Sequence, residues 1–77
     1  MSNQSTHKER LKIQLMERIY TELQQRGLRQ QQAATILDVT QARVSNLKNQ
    51  KTELFSIDML LSFLSRLGIQ YNLVINF

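Results

Sequence analysis

Apolar residues recur at helical spacing along most of this 77-residue chain, and only the last nine residues change to an alternating period. Leu15, Met16, Ile19, Tyr20 and Leu23 stand opposite Gln14, Glu17, Arg18, Thr21 and Gln25, which predicts an amphipathic first helix. It is expected to begin near Ser5 or Thr6, where a hydroxyl can cap free amides, and to end at Gly27. Polar residues 1–5 are then a disordered tail. Leu11 and Ile13 fall on the two edges of the apolar stripe with Lys12 at its centre, so the first turns should protrude from the core.

Two short helices are predicted at about Gln30–Leu37 and Gln41–Lys48. Their apolar positions are Ala33, Ala34, Leu37, Val39, Val44 and Leu47. Thr40 is placed to cap the second of them. Asp38 occupies the intervening turn, at a position that ordinarily wants positive φ and which Asp tolerates better than most residues. Arg29 stands where a capping Ser, Thr or Asn is expected. Residues Asn49–Phe55 read as a loop. Ser56 can cap a further helix that runs to Leu67 and stops at Gly68, with Ile57, Leu60, Leu61, Leu64 and Leu67 as its core stripe. Met59 and Phe63 lie on a neighbouring face, which suggests a second packing surface, a dimer contact, beyond the small domain itself.

From Ile69 the odd positions Ile69, Tyr71, Leu73, Ile75 and Phe77 are apolar, and Gln70, Asn72 and Asn76 between them are polar, with Val74 the exception. That is strand alternation. A lone strand leaves its amides and carbonyls unpaired, so the expected partner is the same strand of a second copy, antiparallel across a two-fold axis. A strand from a different protein would satisfy the same groups. The expected organisation is a tail at 1–5, a mainly α domain of four helices at 6–68, and a dimerisation strand at 69–77.

The segment Gln30–Asn49, QQQAATILDVTQARVSNLKN, has the makings of a helix-turn-helix, because Ala34 is small where the second helix must pass close. With Val44 and Leu47 inward, steps of about 100° turn Ala42, Ser45, Asn46 and Asn49 outward, with Gln41 and Arg43 on the flanks. Gln41 and Asn46 carry the paired donor and acceptor that suit adenine, Ala42 can meet a thymine methyl, and Arg43 can fork onto guanine or reach a phosphate. Ser45 completes the candidate base-reading set. Gln30, Thr40, Lys48 and Lys51 are candidates for phosphate contacts that fix register without reading sequence.

Charge supports this reading more by its distribution than by its total of +4. Arg26, Arg29, Arg43, Lys48 and Lys51 against Asp38 place +4 in residues 26–51, while residues 1–25 carry +1 and residues 52–77 carry −1. Phosphate neutralisation needs that sign in that place. With no Cys and one His, His7, disulfides, thiol catalysis and Cys/His zinc sites are excluded. No nucleophile with a base, carboxylate pair, metal set or Gly-rich phosphate loop suggests an enzyme or a cofactor. The apolar runs are far short of the ~20 residues that span a bilayer, so a soluble cytoplasmic protein is expected.

Residues 26–68 follow a recognisable order: Arg-Gly-Leu before the second helix, paired alanines, Gln-x-Arg-Val-Ser in the third, and Phe-Ser-x-Asp opening the fourth. In this the chain resembles the Xre or Cro/CI helix-turn-helix family, of lambda-repressor-like fold, and more narrowly its short HigA-type antitoxin branch, over about residues 8–68. The closing strand is similar to those by which some antitoxins of that superfamily pair. The resemblance implies a homodimer that binds a palindromic operator in double-stranded DNA, represses its own transcription unit and binds a co-encoded toxin. Two departures, Asp38 for Gly and Gln50 where Gly commonly precedes Lys51, bear on loop geometry. A stand-alone phage-type Cro or CI repressor and an interaction module that retains the fold are the alternatives.

Overall fold

The computed structural model describes residues 3–70, which form α1 (Asn3–Gln25), α2 (Gln30–Leu37), α3 (Gln41–Lys48), a 3-10 turn (Thr52–Leu54) and α4 (Ile57–Arg66). α2 and α3 have the predicted bounds. α1 starts ahead of Ser5, so residues 3–5 continue the helix where a disordered tail was expected. The physical reason is modest: no Gly or Pro interrupts the stretch, and Asn, Gln, Ser and Thr each disfavour helix by only a few tenths of a kcal/mol or so.

All four helices end alike. The left-handed residues are Gly27 (φ 66°), Asp38 (φ 59°), Gln50 (φ 55°) and Gly68 (φ 73°). At each end the left-handed residue donates its N–H back three residues, and the next residue donates back five. The pairs are Gly27 to Gln24 and Leu28 to Leu23, Asp38 to Thr35 and Val39 to Ala34, Gln50 to Leu47 and Lys51 to Asn46, and Gly68 to Ser65 and Ile69 to Leu64. These are Schellman motifs, which satisfy the last carbonyls of a helix. Asp38 and Gln50, where the sequence pattern favours Gly, therefore take the conformation that Gly would have taken. Leu28, Val39 and Ile69, each following a left-handed residue, pack against the core, whereas Lys51 in the equivalent place is exposed.

Among the described residues the core is wholly apolar, with Leu15, Met16, Ile19 and Leu23 of α1, Leu60, Phe63, Leu64 and Leu67 of the α4 segment, and Ala33, Ala34, Leu37, Val44 and Leu47 of α2 and α3 in one cluster. No polar side-chain atom of the described residues is buried without a partner. Tyr20, Val39, Ile57 and Leu61, expected inside, are only partly buried. Two aromatics join the core. Phe55, in the loop as expected, is only 2 % exposed, and Phe63, expected on a dimer face, is buried instead at 4 % exposed. Their rings meet edge-on at 6.2 Å. Phe55 directly precedes the Ser56 cap, whose Oγ accepts from the Met59 N–H at 3.1 Å, and Leu60 is the fourth helical residue beyond. Those are the positions of a hydrophobic staple.

Lys12 is explained by the same packing. Its aliphatic stem lies half-buried on the apolar side of α1, and its Nζ donates to the Thr52 carbonyl at 3.3 Å, which ties α1 to the 3-10 turn. Leu11 packs against the core beside it, so the helix begins to pack one turn earlier than the stripe implied. At its other end α1 is tied to α4 by Arg26, which donates to the Leu67 carbonyl and to Glu22 Oε2.

The expected strand begins too early in one respect. Ile69 and Gln70 are not strand; Ile69 closes the Schellman motif of α4, because its N–H is taken by Leu64 and its side chain by the core. The other expected strand positions, Tyr71, Leu73, Ile75 and Phe77, lie outside the described residues.

Candidate nucleic-acid interface

α3 is anchored on one side and open on the other. Val44 and Leu47 are 3 % and 1 % exposed, and the Thr40 Oγ accepts from the Arg43 N–H at 3.1 Å, which sets where the helix begins. Those anchors fix its rotation. Gln41 and Ala42 are exposed, and Ser45 and Asn46 are half-buried along the same outward side. Thr40, Lys48 and Lys51 are exposed around it, and Gln30 is exposed at the start of α2.

The end of α3 is held against α1. Beyond the Schellman bonds, Gln50 Nε2 donates to Glu17 Oε2 at 3.3 Å. At the start of α2, Arg29 has no acceptor with which to cap, and Gln32 Oε1 accepts the Arg29 N–H at 2.9 Å instead. The guanidinium of Arg29 is thereby left on the surface beside the first turn of α2.

Arg43 differs from its neighbours on α3. Its Nη1 donates to the Leu54 carbonyl at 2.8 Å, and its Cζ lies 5.6 Å from the centroid of Phe55, within cation–π range. The side chain is therefore turned along the flank toward the loop rather than out over the groove-facing side. Nothing in the sequence around Arg43 signals this, because Leu54 and Phe55 are eleven and twelve residues away; the signal that could have placed the Phe55 ring inside is its position just before the Ser56 cap.

The basic excess divides once the partners are known. Arg26 is engaged by Glu22 and the Leu67 carbonyl, and Arg66, on α4, lies 3.8 Å from Asp38. Glu22 accepts from both Arg26 and Arg18 at 2.9 Å, and the Arg26 bond first and the Arg18 bond second hold its carboxyl below the usual range. Of the basic residues in 26–51, Arg26, Arg29, Lys48 and Lys51 are exposed, and Arg26 is the one of these four already engaged by Glu22 and the Leu67 carbonyl; the others are Arg29, Lys48 and Lys51. These stand beside α2 and α3.

Among the described residues no group of three or more His, Cys, Asp or Glu is arranged to hold a metal, and no helix is long and apolar enough to cross a membrane. A search of curated proteins found no match to the chain, and a search of solved structures found none either. The model of a family described as a helix-turn-helix domain matches residues 1–76. With α2, the left-handed turn at Asp38 and α3 following one another in that order and α2 packed on α3, the chain belongs to the helix-turn-helix domain family, an architecture that binds DNA.

Proposed function

We propose that this protein is a sequence-specific DNA-binding homodimer that represses transcription, and that it serves as the antitoxin of a toxin–antitoxin pair. The observation that carries the DNA-binding part is the α3 surface. Gln41, Ala42, Ser45 and Asn46 share one accessible side of a helix whose rotation is fixed by Val44, Leu47 and the Thr40 cap. In the complex α3 lies in the major groove, with these four facing base edges. Gln30, Thr40, Lys48 and Lys51 take phosphates on either side.

One such helix reads too few base pairs to specify a site in a genome, which is the argument for two copies about 34 Å apart on a palindrome. The alternating residues Tyr71–Phe77, together with the partly buried Met59, are the proposed means of pairing. The antitoxin role rests on the resemblance of residues 26–68 to the HigA-type branch. It requires a neighbouring reading frame that encodes a small toxin.

The test is binding of the full chain to duplex DNA from upstream of its own gene, followed by fluorescence anisotropy at several salt concentrations. Binding tighter than to a shuffled duplex and weakening with salt is expected; equal affinity for both removes sequence-specific recognition. Lys51→Ala should weaken both duplexes alike and flatten the salt dependence. Truncation after Gln70 should halve the mass by light scattering, and an unchanged mass removes the strand pairing. Absence of growth rescue when the chain is co-expressed with its neighbour's product removes the antitoxin role.

A further inference from the structure

We propose that Arg43 is a preset phosphate clamp rather than a base reader, and that the ring of Phe55 and the carbonyl of Leu54 form its seat. The inference rests on the DNA-binding reading above and assigns one residue of that surface a different task. Arg43 is held at both ends: its backbone N–H by Thr40 Oγ at 3.1 Å, and its guanidinium by the Leu54 carbonyl at 2.8 Å and the Phe55 ring at 5.6 Å. The seat is itself rigid. Phe55 is 2 % exposed and braced edge-on by Phe63, and the Leu54 N–H is bonded back to the Lys51 carbonyl at 3.0 Å.

To reach a base edge Arg43 would give up both the charge-assisted bond to Leu54 and the ring face, and it would have to be ordered again in the groove. From its seat it gives up neither. A guanidinium has five donors, and the Leu54 carbonyl takes one, so donors remain for an anion arriving along the flank of α3. The neighbouring cation in sequence on that loop is the exposed Lys51, whose turn is closed by the Leu54 N–H. A phosphodiester approached by this flank meets a fork already in place. The entropy of fixing a long side chain is then lost on folding, not on binding.

The test uses the full chain, the upstream duplex and a shuffled duplex of equal length. Arg43→Ala should weaken both by the same factor, roughly tenfold, and lower the slope of log K against log salt by about one. Loss confined to the upstream duplex would make Arg43 a base reader and overturn the proposal. Phe55→Leu keeps an apolar core residue and removes the ring face. It should weaken binding when Arg43 is present and not in the Arg43→Ala background; equal losses in both backgrounds overturn the seat. A second measurement does not depend on DNA or on that variant folding: in the free protein the Arg43 Nε–H should be as ordered by NMR relaxation as the backbone of α3, unlike that of Arg29. A mobile Arg43 with DNA binding intact overturns the seat alone, whereas an ordered Arg43 in a chain that binds neither duplex overturns DNA binding and the clamp together.

Discussion

Replacing Gln50 by Gly should stabilise the protein, although it deletes a side chain that makes a tertiary hydrogen bond. Gln50 has φ 55° because it is the left-handed residue of the Schellman motif that ends α3. A non-Gly residue in that region is disfavoured by roughly 1–2 kcal/mol. Gly removes that strain and returns about 0.4–1 kcal/mol of it through the greater freedom of the unfolded chain. The bond to Glu17, at 3.3 Å between exposed residues, contributes about 0.5 kcal/mol, the low end for a hydrogen bond because water competes for both groups. At mid-range the net gain is about 0.3 kcal/mol. For a domain of this size that raises Tm by roughly 1–2 °C, read by circular dichroism at 222 nm. Gln50→Ala separates the two effects, since it loses the Glu17 bond and keeps the left-handed strain; it should melt at or below the parent. A Gly variant that melts no higher than the parent, or an Ala variant that gains as much as Gly, would refute the account of strain at this turn.

Other outcomes follow from the same geometry. Gln41→Ala should cost about 1–3 kcal/mol on the upstream duplex and relax discrimination at one base pair per half-site, while a shuffled duplex is nearly unaffected; anisotropy titrations on single-substitution duplexes check it. Thr40→Ala removes the Oγ that accepts from Arg43 and should lower stability by about 1 kcal/mol, measured by urea denaturation. Glu22→Gln tests the acid limb. Because Arg26 and then Arg18 lower the Glu22 pKa in the fold, its charged form stabilises the protein above the unfolded carboxyl's ordinary value, and this is lost as pH falls through the lowered one. The Tm gap between parent and Glu22→Gln should therefore be open at neutral pH and close as the solution is taken well below pH 4.5, the ordinary value; a gap independent of pH would contradict it.

Local chemistry was the most legible part of this molecule. Thr40 and Ser56 are caps because a hydroxyl can satisfy first-turn amides wherever the helix later packs, and Gly27 and Gly68 end helices for an equally local reason. The odd residues were legible too. Asp38 and Gln50 stand where a Gly is usual, and both adopt the backbone that made Gly usual there. The helical period likewise identified most of the core, because a stripe on α1 or α4 must be buried whichever element covers it.

What depends on distant residues was not legible. Lys12 looked misplaced in its stripe until Thr52, forty residues on, supplied a carbonyl for its ammonium. Arg26 counted toward the basic excess until Glu22 and the Leu67 carbonyl took it up. Phe63 looked like a surface for a second copy, yet Phe55 reaches it within the same chain.

By itself, then, the sequence determined the helices, where each of them stops, the apolar stripe each must hide and the short polar helix that can face DNA. These follow from spacing, from backbone preference and from hydrogen bonds within a turn or two. Only the tertiary structure decided which polar side chains on that helix are available. Gln41 and Arg43 are equally polar neighbours in the sequence, but the fold leaves Gln41 exposed and brings the Leu54 carbonyl and the Phe55 ring to Arg43. A side chain's freedom is set by what packing places within its reach, and that cannot be read from residue type or period.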